Sequence, residues 1–380
     1  MYREWMDSFF ARGWDPLRRD DFGVLWEHLV LEHLHAHFPD TPVRYWRDKA
    51  RREIDFVLAS FATTTRMTYN MDAGTDFVYF LSNPQDPATA LGETLAELQG
   101  TDFAGRAGRL ADKIGAEKPD LGSLQEVTVW DFVSTQSGAR VGLVADQLAL
   151  LTSALKARHQ PYEVVAVQWL TNLQMPLGNG QSFHFLDRNV ILARTDAPRE
   201  ELELSNVQSG NYQADVVVLD LFRQVNGWMS VDAKIHGRTL RLFATHLETA
   251  MSVDDETQML QGRELIGIMN QSPYPVVLAG DLNSDMSGLG YVPQDQTPTA
   301  SWIVAAGYTD CWTVSHAPYE GLTWPLYWED TFVGHPPGPL ERIDLIFARG
   351  LEAGKAKVVG NQAPFPSDHA GVVVTLDIRK

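Results

Sequence analysis

The sequence predicts an α/β protein, in which two packed mixed β-sheets are flanked by helices and a small helical extension precedes them. Three observations predict it. Short apolar runs recur through the chain and are interrupted by stretches of helical periodicity. Two of the runs, 228–235 and 239–245, are separated only by His236 and Gly237 and read as a hairpin, while the order elsewhere is mixed. The chain has 380 residues, 44% of them hydrophobic, which is ample for a sizeable core.

The first sixty residues read differently from the rest. FGVLWEHLVLEHLHAHF at 22–38 places Trp26, Val30, Leu34 and Phe38 near helical spacing, and Pro39 stops the run. YWRDKARREIDFVLA follows. This stretch resembles the C-terminal, restriction-endonuclease-like part of certain bacterial ATPases of unknown function. In that fold a Glu on a helix precedes an Asp on a strand and then an acid-x-Lys on the next strand. Glu27 and Asp55 fill the first two places, but the next lysine after Asp55 is Lys113, too late for the third. Residues 1–62 are therefore expected to be a truncated nuclease-like extension without chemistry, and 63–380 the main domain.

Within 63–380, Met67 and Tyr69 alternate with polar neighbours in a strand ending at Asn70, and Gly74 permits a turn. Residues 89–118 look helical. DLGSLQEV at 120–127 is a short strand that delivers Glu126 at its end. Val144, Leu148, Leu151 and Leu155 mark one helix face. Strands are expected around 162–170, 188–194, 213–221, 228–235 and 239–245. A helix over 254–271 turns Met259, Ile266 and Met269 inward, and strands recur at 275–279, 342–347 and 370–378. The stretch 286–340 is rich in Pro, Gly and Trp and reads as irregular. Long ordered loops of this kind tend to be binding surfaces.

The net charge is −18. Sequence-independent nucleic-acid binders normally carry a basic surplus, because phosphate contacts dominate their affinity; this chain shows the reverse. The single cysteine, Cys311, excludes an intramolecular disulfide and a cysteine-rich zinc site. The charges scattered through the N-terminus leave no apolar core of signal-peptide length, and no later stretch is long enough to span a bilayer. The expectation is a cytoplasmic protein, a disulfide-free exported one being the alternative. No partner protein is implied.

The chemistry centres on VVLAGDLNSD at 276–285. A buried strand ending at Gly280 lifts Asp281 and Asn283 to the rim of a sheet. An acid and an amide at that spacing suit a hard cation and a phosphate oxygen. LQE at 124–126, ATHLE at 244–248, RIDLIF at 342–347 and SDH at 367–369 agree with it. Singly, each has a plain structural reading: an Asx turn, a strand with one exposed His, an Arg342–Asp344 ion pair, a helix N-cap. Together, in this order and each at a strand end, they specify much more. The sequence has no glycine-rich phosphate loop ending in Lys-Ser or Lys-Thr, no Gly-x-Ser-x-Gly elbow and no paired-His zinc helix.

The set resembles the endonuclease/exonuclease/phosphatase family. These are magnesium-dependent phosphoesterases that include pancreatic-type deoxyribonuclease, abasic-site endonucleases, inositol-phosphate 5-phosphatases and neutral sphingomyelinases. The family's opening strand ends in Asn, here Asn70; its Gln-Glu pair is Gln125 and Glu126. Its Thr-His-Leu step is Thr245, His246 and Leu247, and its Gly-Asp-x-Asn runs from Gly280 through Asp281 to Asn283. Arg342, Ile343 and Asp344 match its Arg-Ile-Asp, and Ser367, Asp368 and His369 its closing Ser-Asp-His. Looser matches are Asp72, Arg188 and Asn189.

The resemblance implies a four-layer α/β/β/α sandwich and a Mg²⁺ cofactor, with Mn²⁺ as a substitute. It implies Glu126 as the direct metal ligand, Asp368 as a second and Asn70 orienting the water shell or a phosphate oxygen. Asp281 would hold or activate the attacking water, Asn283 would donate to the phosphate, His369 would pair with Asp344, and His246 would serve the leaving-group side. His159, His184, His236, His316 and His335 have no such context and read as surface or packing residues. Loops 286–340 hold no Lys or Arg but carry Tyr291, Trp302, Tyr308, Trp312, Tyr319, Trp324, Tyr327 and Trp328. Such aromatics stack bases, cage a choline headgroup or pack a sheet edge. The expected reaction is phosphodiester hydrolysis ahead of monoester hydrolysis, on a nucleic acid, a phospholipid or an inositol phosphate. The rival from another class is a catalytically silent binding protein of the same fold; the complete set of acids and histidines argues against it.

Overall fold

The structure is a computed structural model, and it describes residues 29–33, 36, 43–47, 53–58, 62–75, 79, 85–196, 202–218, 222–249, 256–327 and 338–378. The chain divides into two compact units, 1–62 and 63–380. In the first, β1 (Val43–Arg47) pairs antiparallel with β2 (Glu53–Leu58). Asp55 falls on a strand, as expected. Most of the helix expected over 22–38, including Trp26, Glu27, Leu34 and Phe38, lies outside the described residues.

The second unit begins with β3 (Ala62–Asn70), α1 (Pro87–Gly100), α2 (Phe103–Glu117) and β4 (Leu121–Gln125). The hairpin β5 (Val129–Ser134) and β6 (Arg140–Asp146) precedes α3 (Gln147–Ala157), and β7 (Tyr162–Pro176) and β8 (Gln181–Arg194) form a long second hairpin. Next come β9 (Glu203–Asn211), β10 (Val216–Val218), β11 (Phe222–Gln224), β12 (Gly227–Ile235) and β13 (Arg238–His246). Then follow α4 (Thr257–Met269), β14 (Val276–Asp281), α5 (Thr299–Ala305), β15 (Thr309–Asp310), β16 (Asp344–Arg349), β17 (Glu352–Val359) and β18 (Gly371–Ile378).

These strands build one sheet in the order β17-β18-β3-β4-β8-β5-β6, with β7 also on β8, and a second in the order β15-β16-β14-β13-β12-β9. Both are mixed: β3 runs parallel to β4 and β13 parallel to β14, and each of these pairs is joined through helices, as parallel strands require. Residues Ala107, Leu110 and Ile114 of α2 and Leu151 and Leu155 of α3 cover the face of the first sheet that shows Met67, Tyr69 and Leu124. Leu265 and Met269 of α4 and Ala300 and Ile303 of α5 cover Phe243, Leu278, Leu345 and Phe347 of the second. The opposite faces meet each other, and the expected four layers result.

The seam between the sheets is partly polar. Thr68 Oγ1 donates to Gln125 Oε1 at 3.1 Å, Gln125 Nε2 to Ser123 Oγ at 2.8 Å, and Ser123 Oγ to the Ala279 carbonyl of the other sheet at 3.0 Å. All three side chains are fully buried, so each bond prevents an unsatisfied polar group. Gly280 belongs to the same seam. A Cβ there would lie 2.2 Å from the Thr245 carbonyl oxygen, so the close approach of β13 and β14 requires glycine. The β12–β13 turn, with His236 at φ 46° and Gly237 at φ 83°, has the two left-handed residues of a tight hairpin.

Several boundaries differ from expectation. The helical stretch 89–118 is broken at Asp102, which sits at φ 51° and caps α2 by accepting from Gly105 N. Val144 lies in β6, not on a helix, and α3 starts at Gln147. Of the strand expected over 213–221, Val216–Val218 is found as β10, paired antiparallel with β11, and residues 219–221 lie outside the described residues. In α4, Met269 is buried and Ile266 packs against the core, but Met259 is only half-buried; Gln258 and Gln261 are the buried residues of its first turns. They bond to the Leu282 carbonyl and the Glu248 N–H, so polar residues do the work an apolar stripe was expected to do. The edge strands β9 and β17 were not anticipated, because β9 is mostly exposed and β17 mixes exposed, half-buried and buried positions without an apolar alternation.

Candidate active site

Six chain segments end at one rim of the sandwich, and their last residues are the ones with chemistry. Asn70 closes β3, Glu126 follows β4, His246 closes β13, Asp281 closes β14, Asp344 opens β16, and Asp368 and His369 immediately precede β18. The sheet register brings them together: His246 is the partner of Asp281 across β13 and β14, and Asp281 of Asp344 across β14 and β16.

Asn70 links the two sheets. Its Nδ2 donates to Glu126 Oε1 at 2.8 Å and to Asp281 Oδ2 at 3.0 Å, and its Oδ1 accepts from Asp72 N at 2.9 Å. Glu126 Oε2 accepts from Ala73 N at 2.6 Å. Asp281 Oδ1 accepts from Asn283 N at 3.0 Å. His369 Nδ1 lies 2.8 Å from Asp344 Oδ2 and 3.7 Å from Asp281 Oδ2. His246 Nε2 is 3.8 Å from Asp281 Oδ2, 3.9 Å from Glu126 Oε1 and 3.3 Å from Asn283 Nδ2. Asp368 Oδ2 accepts from the Trp324 indole at 3.1 Å, and that ring lies 6.1 Å from the His369 ring. Asn70, Glu126, His246, Asp281, Asn283, Asp344 and His369 are thus brought into one cluster, with Asp368 at its edge. Arg188 and Asn189 stand behind it. Arg188 donates to the Val127 and Thr128 carbonyls and to Asp146, and Asn189 to the Gly227 carbonyl.

The electrostatics follow from packing several acids, most of them buried, around one point. Burial pushes Glu126 up to about 8, against the pull of His369 and the Asn70 hydrogen bond. Asp368 is raised by burial and by Asp72. Burial works against the charge on His369, but Asp344 and Asp368 overcome it and hold the imidazole well above its usual value. Asp344 Oδ1 and His246 Nδ1 are buried without a hydrogen-bond partner among the described residues. The backbone is strained at the same place: Asp72, Glu126 and Asn283 adopt φ of 59°, 52° and 43°. Asp and Asn tolerate that region; for Glu126 it costs on the order of 1 kcal/mol and persists only under constraint.

Sequence reasoning missed the residues that hold these loops. Arg106 of α2 donates to the Met71, Asp72 and Pro366 carbonyls and forms a 3.1 Å ion pair with Asp72. It therefore ties the loop after Asn70 to the loop before Asp368. Asp72 also accepts from the Tyr327 hydroxyl at 2.6 Å. Thr323 Oγ1 accepts from the N–H groups of Ile343 and Asp344. Asp187 lies in the field of His246 and Glu126, and burial raises its carboxyl. Trp324 and Tyr327 were in view as loop aromatics, but Arg106 on a helix carried no signal. Replacing Arg106 with methionine is expected to cost roughly 3 kcal/mol in urea unfolding, since three carbonyls and a carboxylate lose their donor; lysine restores the charge but not the fork. An unchanged unfolding midpoint in Arg106→Met would show that the tie carries no weight.

Arg342 does not pair with Asp344. Its guanidinium binds Asp310 at 2.7 and 3.2 Å and the Met286 and Pro318 carbonyls. The plain reading of Arg-Ile-Asp as an internal ion pair therefore fails, and Asp344 is left to His369. The other described histidines of residues 63–380 have structural partners or exposed positions: His184 binds Asp131 at 2.7 Å, His316 stacks on Trp312, His236 makes a turn and His159 is exposed. His335 and Trp328 lie outside the described residues.

A two-sheet sandwich with acids, amides and histidines converging at the strand ends defines a class of hydrolytic fold. Residues 67–369 match the model of the endonuclease/exonuclease/phosphatase family, and the chain belongs to that family of hydrolases acting on phosphoester bonds. Residues 22–66 match the model of a domain of unknown function, DUF4143. Among solved structures, the fold is similar to an endonuclease/exonuclease/phosphatase from Beutenbergia cavernae (23% identity, TM-score 0.51, 83% of this chain and 72% of that one). It is also similar to family proteins from Leptotrichia buccalis (16%, TM-score 0.53, 83% and 100%) and Bacteroides thetaiotaomicron (15%, TM-score 0.50, 84% and 100%). No curated protein sequence matches the chain.

The family generally uses divalent metals, and the residues present fit one. Asp281, Asp344 and His369 each offer a ligand atom, and these atoms lie within 4.8 Å of one another. The His369–Asp344 hydrogen bond occupies two of them, however. Burial raises the carboxyls of Glu126 and Asp368, as it does those of Asp187 and Asp344, and a cation beside Glu126 and Asp368 would counter that.

Proposed function

We propose that residues 63–380 hydrolyse a phosphodiester with the help of a divalent cation, Mg²⁺ in the first place and Mn²⁺ as its substitute. The observation that supports this most is Asn70, which joins Glu126 of one sheet to Asp281 of the other. Glu126 and Asp368 would hold the cation, with Asn70 fixing its approach. When bound, the cation neutralises charge developing on the phosphoryl oxygens. Asp281 orients the attacking water and offers it a hydrogen-bond acceptor. Asn283 and a protonated His369 donate to the phosphate, and Asp344 keeps His369 charged and in one orientation. His246 serves the leaving-group side. The same assignment makes residues 1–62 non-catalytic, since every side chain named lies beyond them.

The rim favours a small or lipid-like phosphodiester over long duplex nucleic acid. Tyr327 is 41% exposed beside Asp72, Trp324 borders Asp368, and residues 286–340 contain no Lys or Arg. Tyr308 and Trp312 are buried and serve packing instead. The test is a Mg²⁺-supplemented panel of bis-p-nitrophenyl phosphate, p-nitrophenyl phosphate, duplex DNA, a phosphocholine lipid and an inositol phosphate. The diester should exceed the monoester by about tenfold or more, a difference of roughly 1.4 kcal/mol, and duplex DNA should rank low. A monoester preference contradicts the proposal. Residues 63–380 alone should give the same ranking; loss of turnover with the fold retained would contradict the domain assignment.

A further inference from the structure

A tyrosine commonly packs its ring and leaves the polar tip to water. Tyr327 does the reverse. Its ring side chain is 41% exposed, while its hydroxyl donates to Asp72 Oδ2 at 2.6 Å. That carboxylate is fixed in turn by the Arg106 guanidinium at 3.1 Å and by Gly74 N, which donates to Oδ1 at 2.6 Å. The backbone beside Tyr327 is fixed as well, since Leu326 N donates to the Asp368 carbonyl at 2.7 Å. The ring is held at both ends and still offers surface to solvent.

Its position ties it to the catalytic cluster. Asp72 N donates to Asn70 Oδ1 at 2.9 Å, and Asn70 bonds to Glu126 and Asp281. The half-buried Phe365, in the loop that leads to Asp368, sets its ring 6.1 Å from the Tyr327 ring at an interplanar angle of 33°. The backbone of that loop is held too: Arg109 Nε donates to the Phe365 carbonyl at 2.9 Å and Arg106 Nε to the Pro366 carbonyl at 3.0 Å. Neither ring packs into the helix-covered cores of the two sheets. Two rings on fixed backbone therefore border the cleft without being needed to fill the interior.

We propose that Tyr327, extended by Phe365, is the surface on which a planar group carried by the phosphodiester stacks, a nucleobase or a ring of similar size. This rests on the phosphodiesterase reading and names the substrate class of that same site. A cationic headgroup fits less well. Asp72 already spends its two oxygens on Tyr327, Arg106 and Gly74, and two rings tilted by 33° do not enclose a cation as an aromatic cage does. A long strand also fits less well, because residues 286–340 carry no Lys or Arg to follow a phosphate backbone. The ligand these features suit is a short diester with one base at the rim. A ring that is already immobilised loses little further freedom on binding, so most of the stacking energy is kept as affinity.

The experiment is calorimetry on the full chain with Mg²⁺, using adenosine 5′-phosphate and ribose 5-phosphate, which share the sugar and phosphate and differ in the base. The base should tighten binding by about tenfold, within the range that stacking on an aromatic side chain supplies. Tyr327→Ala should lose that gain and bring the two ligands to similar affinity, while Tyr327→Phe keeps the ring and should keep the preference. Equal affinities in the unsubstituted chain, or a preference that survives Tyr327→Ala, would overturn the proposal. So would a Tyr327→Ala chain that weakens both ligands alike, which would mark a structural role only. A short-chain phosphocholine lipid that loses as much affinity in Tyr327→Ala as adenosine 5′-phosphate does would overturn it too, and assign the rings to apolar groups at large. Binding is read without turnover. A chain that prefers the base but hydrolyses no diester therefore fails the catalytic reading and keeps the stacking surface, and one that hydrolyses the diester without the preference fails the stacking surface alone.

Discussion

Asp281→Asn lowers kcat by about 10³-fold at saturating Mg²⁺, the range lost with a general acid–base group. The substitution keeps the shape of a side chain that is 1% exposed, and its Oδ1 still accepts from Asn283 N. What it removes is the negative charge beside His246 and His369, together with the Oδ2 acceptor of the Asn70 Nδ2 hydrogen bond. The fold should survive, because lost attraction to the imidazoles is offset by relief from Asp344, whose carboxyl feels Asp281 as a repelling neighbour. Initial rates on bis-p-nitrophenyl phosphate together with a thermal melt separate the two effects. A variant with native Tm and native kcat would remove Asp281 from the chemistry.

Glu126→Gln has the second large effect, and on a different quantity. The Mg²⁺ concentration for half-maximal rate should rise by about 10²-fold or more, since altering even an outer partner of a metal ligand costs 10–100-fold in affinity. Glutamine keeps one oxygen for Asn70 Nδ2 or for Ala73 N, the two donors that Glu126 now receives. It also inherits the left-handed backbone at φ 52°, so the loop after β4 keeps its strain and its course. A Mg²⁺ titration of rate reads this directly. An unchanged half-maximal concentration would move the cation away from Glu126, towards the Asp281, Asp344 and His369 group.

The strand ends were legible in the sequence because apolar runs stop where their first polar residue must face outward. Asn70, Glu126, His246 and Asp281 were read in this way, and each sits where its strand ends. The pairing of Asp344 with His369 was also expected, although the two stand 25 positions apart and meet only through the fold. Longer-range supports were not legible. Arg106 reaches Pro366 across 260 positions and Tyr327 reaches Asp72 across 255, and neither lies in a pattern that spacing can detect. The left-handed conformations of Glu126 and Asn283 are set by tertiary constraint, since neither residue is a glycine whose identity would announce them. In the core, Gln258 of α4 reads as an exposed polar residue until the Leu282 carbonyl is seen above it.

The most direct measurement is turnover of bis-p-nitrophenyl phosphate by protein stripped of metal with a chelator and then titrated with Mg²⁺. Turnover should vanish on stripping, return with added Mg²⁺, and stay about 10³-fold down in Asp281→Asn at every concentration. Hydrolysis that persists at full rate in the stripped protein, or that Asp281→Asn leaves intact, would contradict a metal-assisted reaction at the Asn70–Glu126–Asp281 junction.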